Sequence, residues 1–231
     1  MTAVSDLVEV VDRLLAPEGG CVWNRAQTHA SLARYAVEES YELVDAIDSG
    51  DDVELREELG DVLYQVVLHA GLAAAAGRFD LEDVAAGARD KMVRRHPHVF
   101  GAERAVTEAE VVRVWRAAKA AEKAARTSVV DGVPRAMPPL ERAVKLLERL
   151  EERGDAAAVV AAVVRAPEQA STGADGADGA ASASGSGDVV DDRWGAGMLA
   201  EVAAAREAGI DVVASLRAAV TRLEAEARVG E

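Results

Sequence analysis

The chain has 231 residues, 26 Lys and Arg against 41 Asp and Glu, and a formal charge of −15, which repels a phosphate backbone and argues against nucleic-acid binding. Its residues are 50% apolar but only 3% aromatic, enough for a core in one or two domains, drawn from Ala, Val and Leu, which suit helices better than sheets. One cysteine, Cys21, excludes an internal disulfide and fits a reducing cytoplasm, and no apolar run reaches the roughly 18 residues of a membrane span, while the acids of MTAVSDLVEVVDRLL come too early for a signal peptide.

From Asp6 to Leu15 the apolar residues Leu7, Val10, Val11, Leu14 and Leu15 fall at helical spacing, and Pro17-Glu18-Gly19-Gly20 ends the run. A loop is expected to hold Cys21, Val22, Trp23 and Asn24. The next helix is expected from near Thr28 to Ser49, stopped by Gly50, with Leu32, Tyr35, Ala36, Leu43 and Ile47 as its stripe. Asp51 or Asp52 can cap a third helix reaching about Ala76 and closed by Gly77. Asp80 can cap a fourth to about Arg95, where His96-Pro97 blocks continuation. Thr107 and Glu110 have capping-box spacing and open a fifth through about Arg126. None of this half alternates as a strand would.

Past Val130-Asp131-Gly132-Val133-Pro134 and Pro138-Pro139 the character changes, and a domain boundary is expected near residue 130. Helices over about 139–153 and 155–165 lead into Ala170–Gly187, whose Ser, Gly, Ala and Asp cannot bury a core and read as a flexible linker. One more helix pair is expected over 194–208 and 211–227. A weak repeat crosses the boundary. Leu59-Gly60-Asp61-Val62-Leu63 lines up with Trp194-Gly195-Ala196-Gly197-Met198, Phe79-Asp80-Leu81 with Ile210-Asp211-Val212, and Lys91 with Arg222. The second copy has Arg193 where the first has Glu58, and Ala196 where it has Asp61.

Glu38, Glu39, Glu42, Glu58 and Asp61 carry the most information. On a helix Glu39 and Glu42 are i, i+3 neighbours and Glu38 and Glu42 are i, i+4, while Glu58 and Asp61 repeat the i, i+3 spacing on the next helix. The short turn at Gly50-Asp51 lays the two helices antiparallel, so the pairs can face each other as a cage of oxygen donors. Like charges persist so close together mainly when a cation neutralises them. An isolated E-x-x-E is the ordinary mark of a solvated face. Here the acids share their segments with Tyr35, Tyr41, Leu43, Leu59, Leu63 and Tyr64, and Gly60 sits mid-helix beside Asp61 at a cost of about 1 kcal/mol relative to Ala. All-oxygen donors suit Mg²⁺ or Mn²⁺ rather than zinc or copper. None of His29, His69, His96 or His98 follows a Glu by three residues, which disfavours a di-iron bundle.

The run Val37-Glu38-Glu39-Ser40-Tyr41-Glu42, followed by Glu57-Glu58-Leu59-Gly60-Asp61-Val62-Leu63, resembles the EExxE…ExxD signature of MazG-type nucleoside triphosphate pyrophosphohydrolases. Further matching blocks are Gly20-Cys21-Val22-Trp23-Asn24 with Gln27-Thr28, Gly77-Arg78-Phe79-Asp80, Lys91 through Phe100, Trp115 with Lys119, and Asp131-Gly132-Val133-Pro134. Seven blocks in order cover about residues 6 to 140. The resemblance implies an all-α, MazG-like four-helix unit that dimerises, with a degenerate helical C-terminal repeat. Its divisions would be a catalytic domain over 1–130, a helical extension over 131–169, the linker over 170–190 and the degenerate repeat over 191–231.

It further implies a cytoplasmic homodimer that hydrolyses nucleoside triphosphates to monophosphate and pyrophosphate with Mg²⁺, Mn²⁺ being able to substitute, by attack at the α-phosphorus. Glu39, Glu42, Glu58 and Asp61 would be the metal ligands. Glu38 is the spare acid, fit to orient or deprotonate the attacking water or to serve as an outer ligand. Lys91 and Arg95, i, i+4 on one helix, could grip phosphate oxygens as catalytic and binding groups. Trp115 and Lys119, again i, i+4, could stack a base and reach a phosphate, and Trp23 could line the base pocket. Two other readings stay open: a non-catalytic interaction module with vestigial carboxylates, and a pyrophosphatase for a specialised phosphoribosyl-nucleotide.

Overall fold

The computed structural model describes residues 2–122, 124, 128–172 and 190–229, and its regular structure among them is entirely helical. It divides into two compact units, residues 1–122 and 123–231. The first unit holds α1 (Ala3–Leu15), α2 (Val22–Arg25), α3 (His29–Ser49), α4 (Asp52–Ala75), α5 (Leu81–Arg95), α6 (Pro97–Phe100) and α7 (Glu108–Glu122). The second holds α8 (Pro139–Arg153), α9 (Ala156–Thr172), α10 (Asp192–Glu207) and α11 (Val212–Val229).

Local chemistry sets these boundaries. Thr28 caps α3 by accepting from the Ser31 amide, while the Ser31 hydroxyl accepts from the Thr28 amide. Gly50, at φ +73°, takes the left-handed conformation that ends α3. Asp51 then caps α4 through the amides of Val53 and Glu54, so α3 and α4 are joined by a minimal turn. Asp80 caps α5 through Asp83, and Thr107 and Glu110 exchange the reciprocal bonds of a capping box at the head of α7.

Three expectations need correction. Residues 22–25 form the single turn α2 rather than a loop, too short to leave a periodic apolar signal. Pro97 does end α5, but it also opens α6, because its fixed φ suits a first helical turn. The ninth helix continues past residue 165 to Thr172, running through Pro167. The expected linker at 170–190 falls largely on residues 173–189, outside the described ones.

Helices α3 and α4 form the most extensive pair, and α1 and α5 also pack on α4. The pairing is antiparallel. His29, at the start of α3, meets His69 near the end of α4, and Glu39 further along α3 meets Gln65 earlier on α4. The two imidazoles stack with their planes 9° apart and share a 2.8 Å hydrogen bond between their Nδ1 atoms. Burial, with His29 alongside, lowers the His69 pKa. Val11, Leu32, Val67 and Leu68 form the core of this unit, ringed by Leu7, Val8, Leu15, Tyr35, Tyr64, Leu72 and Leu81. Burying each Leu or Val contributes about 1.5–3 kcal/mol. In the second unit Leu147, Val160 and Val202 close the core of α8, α9 and α10, and a two-pronged Arg206–Glu151 pair ties α10 to α8. No described helix is long and apolar enough to cross a membrane.

Candidate metal centre

The antiparallel α3–α4 pair brings three carboxylates together. Oxygens of Glu39, from α3, and of Glu58 and Asp61, from α4, all lie within 4.8 Å of one another. Helical spacing puts Glu58 and Asp61 on one face of α4, and the register fixed by the Gly50-Asp51 turn delivers Glu39 opposite them.

These groups strain against one another. Burial pushes the Glu39 carboxyl above its ordinary range; a hydrogen bond from Gln65 pulls it back, and Asp61 and Glu42 push it up again. Burial likewise raises Glu58, helped by Asp61, Glu57, Glu39 and Glu54. Oε2 of Glu58 and Oε1 of Gln65 are shielded from solvent and have no hydrogen-bond partner. An orphaned oxygen on one of the three converging carboxylates, with the orphaned Gln65 amide oxygen as a second acceptor, leaves an electron-rich cluster with too few donors. A hard divalent cation matches that set, since it takes oxygen ligands and relieves the repulsion.

The structure sorts the other expected residues. Glu42 is exposed and lies outside the three-oxygen group, but acts on Glu39 by charge and hydrogen bonding. Glu38 is exposed, and its charge raises the pKa of Arg34, behind the larger effect of Tyr35. Trp23 is 48% exposed and meets Tyr35 edge-on at 5.8 Å between ring centres, one helical turn before Glu39 on α3. A 3.3 Å hydrogen bond from the Tyr64 hydroxyl to the Asn24 Oδ1 holds α2 against α4.

Lys91 is exposed on α5. Arg95 is already engaged: it makes two hydrogen bonds to Glu122 Oε2, at 2.6 and 2.9 Å, and its guanidinium sits 5.6 Å from the Trp115 ring centre. Lys119 Nζ lies 4.7 Å from the same ring. Trp115 therefore gathers Arg95 and Lys119 into a basic-aromatic cluster between α5 and α7, with Glu122 as its counter-charge. Glu122 and Gln65 join these two clusters without standing out in the sequence. Gln65 stands i, i+4 from Asp61 and so shares its face of α4, but a lone glutamine at that spacing gives no signal that it reaches Glu39.

The chain is similar to known proteins, and the family match covers the helices that carry the carboxylates. Residues 27–100 match the family model described as the MazG nucleotide pyrophosphohydrolase domain. The chain is 52% identical over 151 residues to an uncharacterized 26.1 kDa protein of Streptomyces cacaoi, covering 64% of this chain and 61% of that one. It is 44% identical over 156 residues to a protein of Escherichia coli K12 named nucleoside triphosphate pyrophosphohydrolase, covering 67% and 59%. A crystal structure of a mazG-related protein from Thermotoga maritima aligns with TM-score 0.43 and 28% identity, over 50% of this chain and 97% of that one. The chain thus spans about three fifths of the length of the two curated relatives.

Proposed function

We propose, from the match of residues 27–100 to the MazG family model, that the chain hydrolyses nucleoside triphosphates to monophosphate and pyrophosphate. The observation that carries this is the convergence of Glu39, Glu58 and Asp61, with one Glu58 oxygen shielded and without a hydrogen-bond partner. Its E. coli relative is named for the same reaction. The substrates in this reading are nucleotides of the cytoplasmic pool, canonical or damaged.

Glu39, Glu58 and Asp61, joined by Glu42, are the residues that would hold Mg²⁺, or Mn²⁺ in its place. The ion would neutralise phosphate oxygens and acidify the attacking water. Glu38, exposed on α3, would orient that water or take its proton as it attacks the α-phosphorus. The bond to the bridging oxygen then breaks and pyrophosphate leaves. Lys91 and Arg95 hold phosphate oxygens, Arg95 exchanging Glu122 for the substrate. Trp115 with Lys119, and Trp23, take the base and the remaining phosphate charge.

Self-association belongs to the same reading. Leu59, Leu63 and Val66 are exposed at i, i+4, i+7 along α4, and Val37 and Tyr41 are exposed on α3. A Cβ added at Gly60 would meet nothing within 4 Å, so no packing contact among the described residues explains this glycine. A second copy closing on this stripe gives it a reason. Residues 191–231 are read as a degenerate repeat without ligands: Ala196 is buried in the second unit's helices where its counterpart Asp61 is exposed.

The test is a panel of nucleoside triphosphates with Mg²⁺, scored for pyrophosphate against orthophosphate. Pyrophosphate release lost in Glu42→Gln and Asp61→Asn is the expected result. Wild-type inertness across the panel with both Mg²⁺ and Mn²⁺ would leave the carboxylates as relics of an interaction module.

A further inference from the structure

Asn24 and Gln65 are the buried polar residues among the described residues of the first unit, each 7% exposed. Asn24 is accounted for by Tyr64. Gln65 is not accounted for by folding. It stands one turn beyond Asp61, two residues before the core pair Val67 and Leu68. A Met or Leu there would fill similar space without bringing an amide into the interior. The amide nitrogen donates to Glu39 Oε1 at 3.3 Å, while the amide oxygen is shielded and without a partner. An ionised carboxylate only accepts, so the amide presents its NH₂ group to Glu39. Leaving the other end of a buried amide unsatisfied is costly, and such exceptions in a packed interior mark positions held for function.

Glu39 lies opposite Glu58 and Asp61, which carry the same charge. Without a donor on its far side, its carboxylate is free to rotate away from that repulsion. We propose that Gln65 is a positioning residue: its amide holds Glu39 in the orientation that faces Glu58 and Asp61, and so sets how tightly the site binds a divalent cation. The inference rests on the metal-dependent reading above and adds to it a residue outside the carboxylate set. Groups that orient a metal's ligands typically matter by about 10- to 100-fold in affinity or activity.

The experiment uses the full chain and Mn²⁺ alone, following free Mn²⁺ by electron paramagnetic resonance as protein is titrated. Gln65→Met keeps the volume and removes the donor. It should bind Mn²⁺ about 10- to 100-fold more weakly than wild type, require correspondingly more Mg²⁺ for half-maximal pyrophosphate release, and recover most of kcat at saturating Mg²⁺. A Gln65→Met protein with wild-type Mn²⁺ affinity overturns the inference, whatever its melting temperature. If wild type binds Mn²⁺ and releases pyrophosphate, that result leaves the enzyme reading standing; if wild type binds no Mn²⁺, both fall. Should Gln65→Met not fold, the wild-type side-chain amides decide. The chain has only three glutamines, Gln27, Gln65 and Gln169, so the ¹⁵N signals can be assigned. The Gln65 NH₂ signals should shift on addition of Mg²⁺, and unmoved signals overturn the proposal.

Discussion

Replacing Gly71 with Ala on α4 tests the packing that aims the site. A Cβ at Gly71 would lie 2.8 Å from Val11 Cγ1 and 3.1 Å from Leu15 Cδ1, both on α1. Val11 is 1% exposed and cannot swing aside, so the methyl overpacks the crossing of α1 on α4. Gly87, in the middle of α5, is the control, because a Cβ there meets nothing within 4 Å. Each substitution gains about 1 kcal/mol of helix propensity. That gain cancels in the difference between the two variants, leaving the overpacking cost of about 1–3 kcal/mol. For a unit of this size, about 3–5 °C per kcal/mol separates the first unit's melting temperatures by roughly 3–15 °C, Gly71→Ala being the lower. Thermal unfolding by circular dichroism or calorimetry reads the gap. Equal melting temperatures would show that α1 does not close on α4 at this point, and the register that aims the carboxylates would lose its support.

Other outcomes follow from the same structure. Glu39 and Glu58 hold their protons more tightly in the fold than in the unfolded chain, so without metal the folded state carries the extra protons and stability falls as pH rises through the window above the ordinary carboxylate range. Melting temperatures in EDTA should show this slope, while saturating Mg²⁺ or Glu58→Gln should flatten it; a slope of opposite sign in the difference between wild type and Glu58→Gln would contradict a carboxylate origin. Gly60→Ala should leave the folded chain intact but weaken self-association by at least tenfold in analytical ultracentrifugation, and unchanged association would remove this stripe of α4 from the interface. Deleting residues 170–231 should leave metal-dependent pyrophosphate release largely intact, whereas its loss in a folded, dimeric truncation would give the second unit a part in the chemistry.

What the sequence revealed was mostly local. Thr28, Gly50, Asp51, Asp80 and the Thr107–Glu110 pair act on their own helix ends, and they set the boundaries found there. Glu58 and Asp61 were legible because a helix turns i, i+3 neighbours to one side, and the minimal turn supplied Glu39. The same spacing rule could not separate Glu38 and Glu42 from Glu39, since rotation of α3 about its axis decides which of them faces α4. That rotation is set by packing of Leu32 and Tyr35 against residues from distant segments. Contacts between distant segments were invisible for the same reason. Nothing local predicts that His29 meets His69, that Glu122 claims Arg95, or that Gln65 reaches Glu39.

The central claim is that acids from two helices enclose one cation. A crystal of the chain soaked in Mn²⁺, with anomalous scattering recorded at the manganese edge, tests it most directly. The account predicts a peak bounded by the carboxylates of Glu39, Glu58 and Asp61, with Glu42 closing on it. Manganese found elsewhere, or those carboxylates turned apart into solvent with no peak between them, would contradict it.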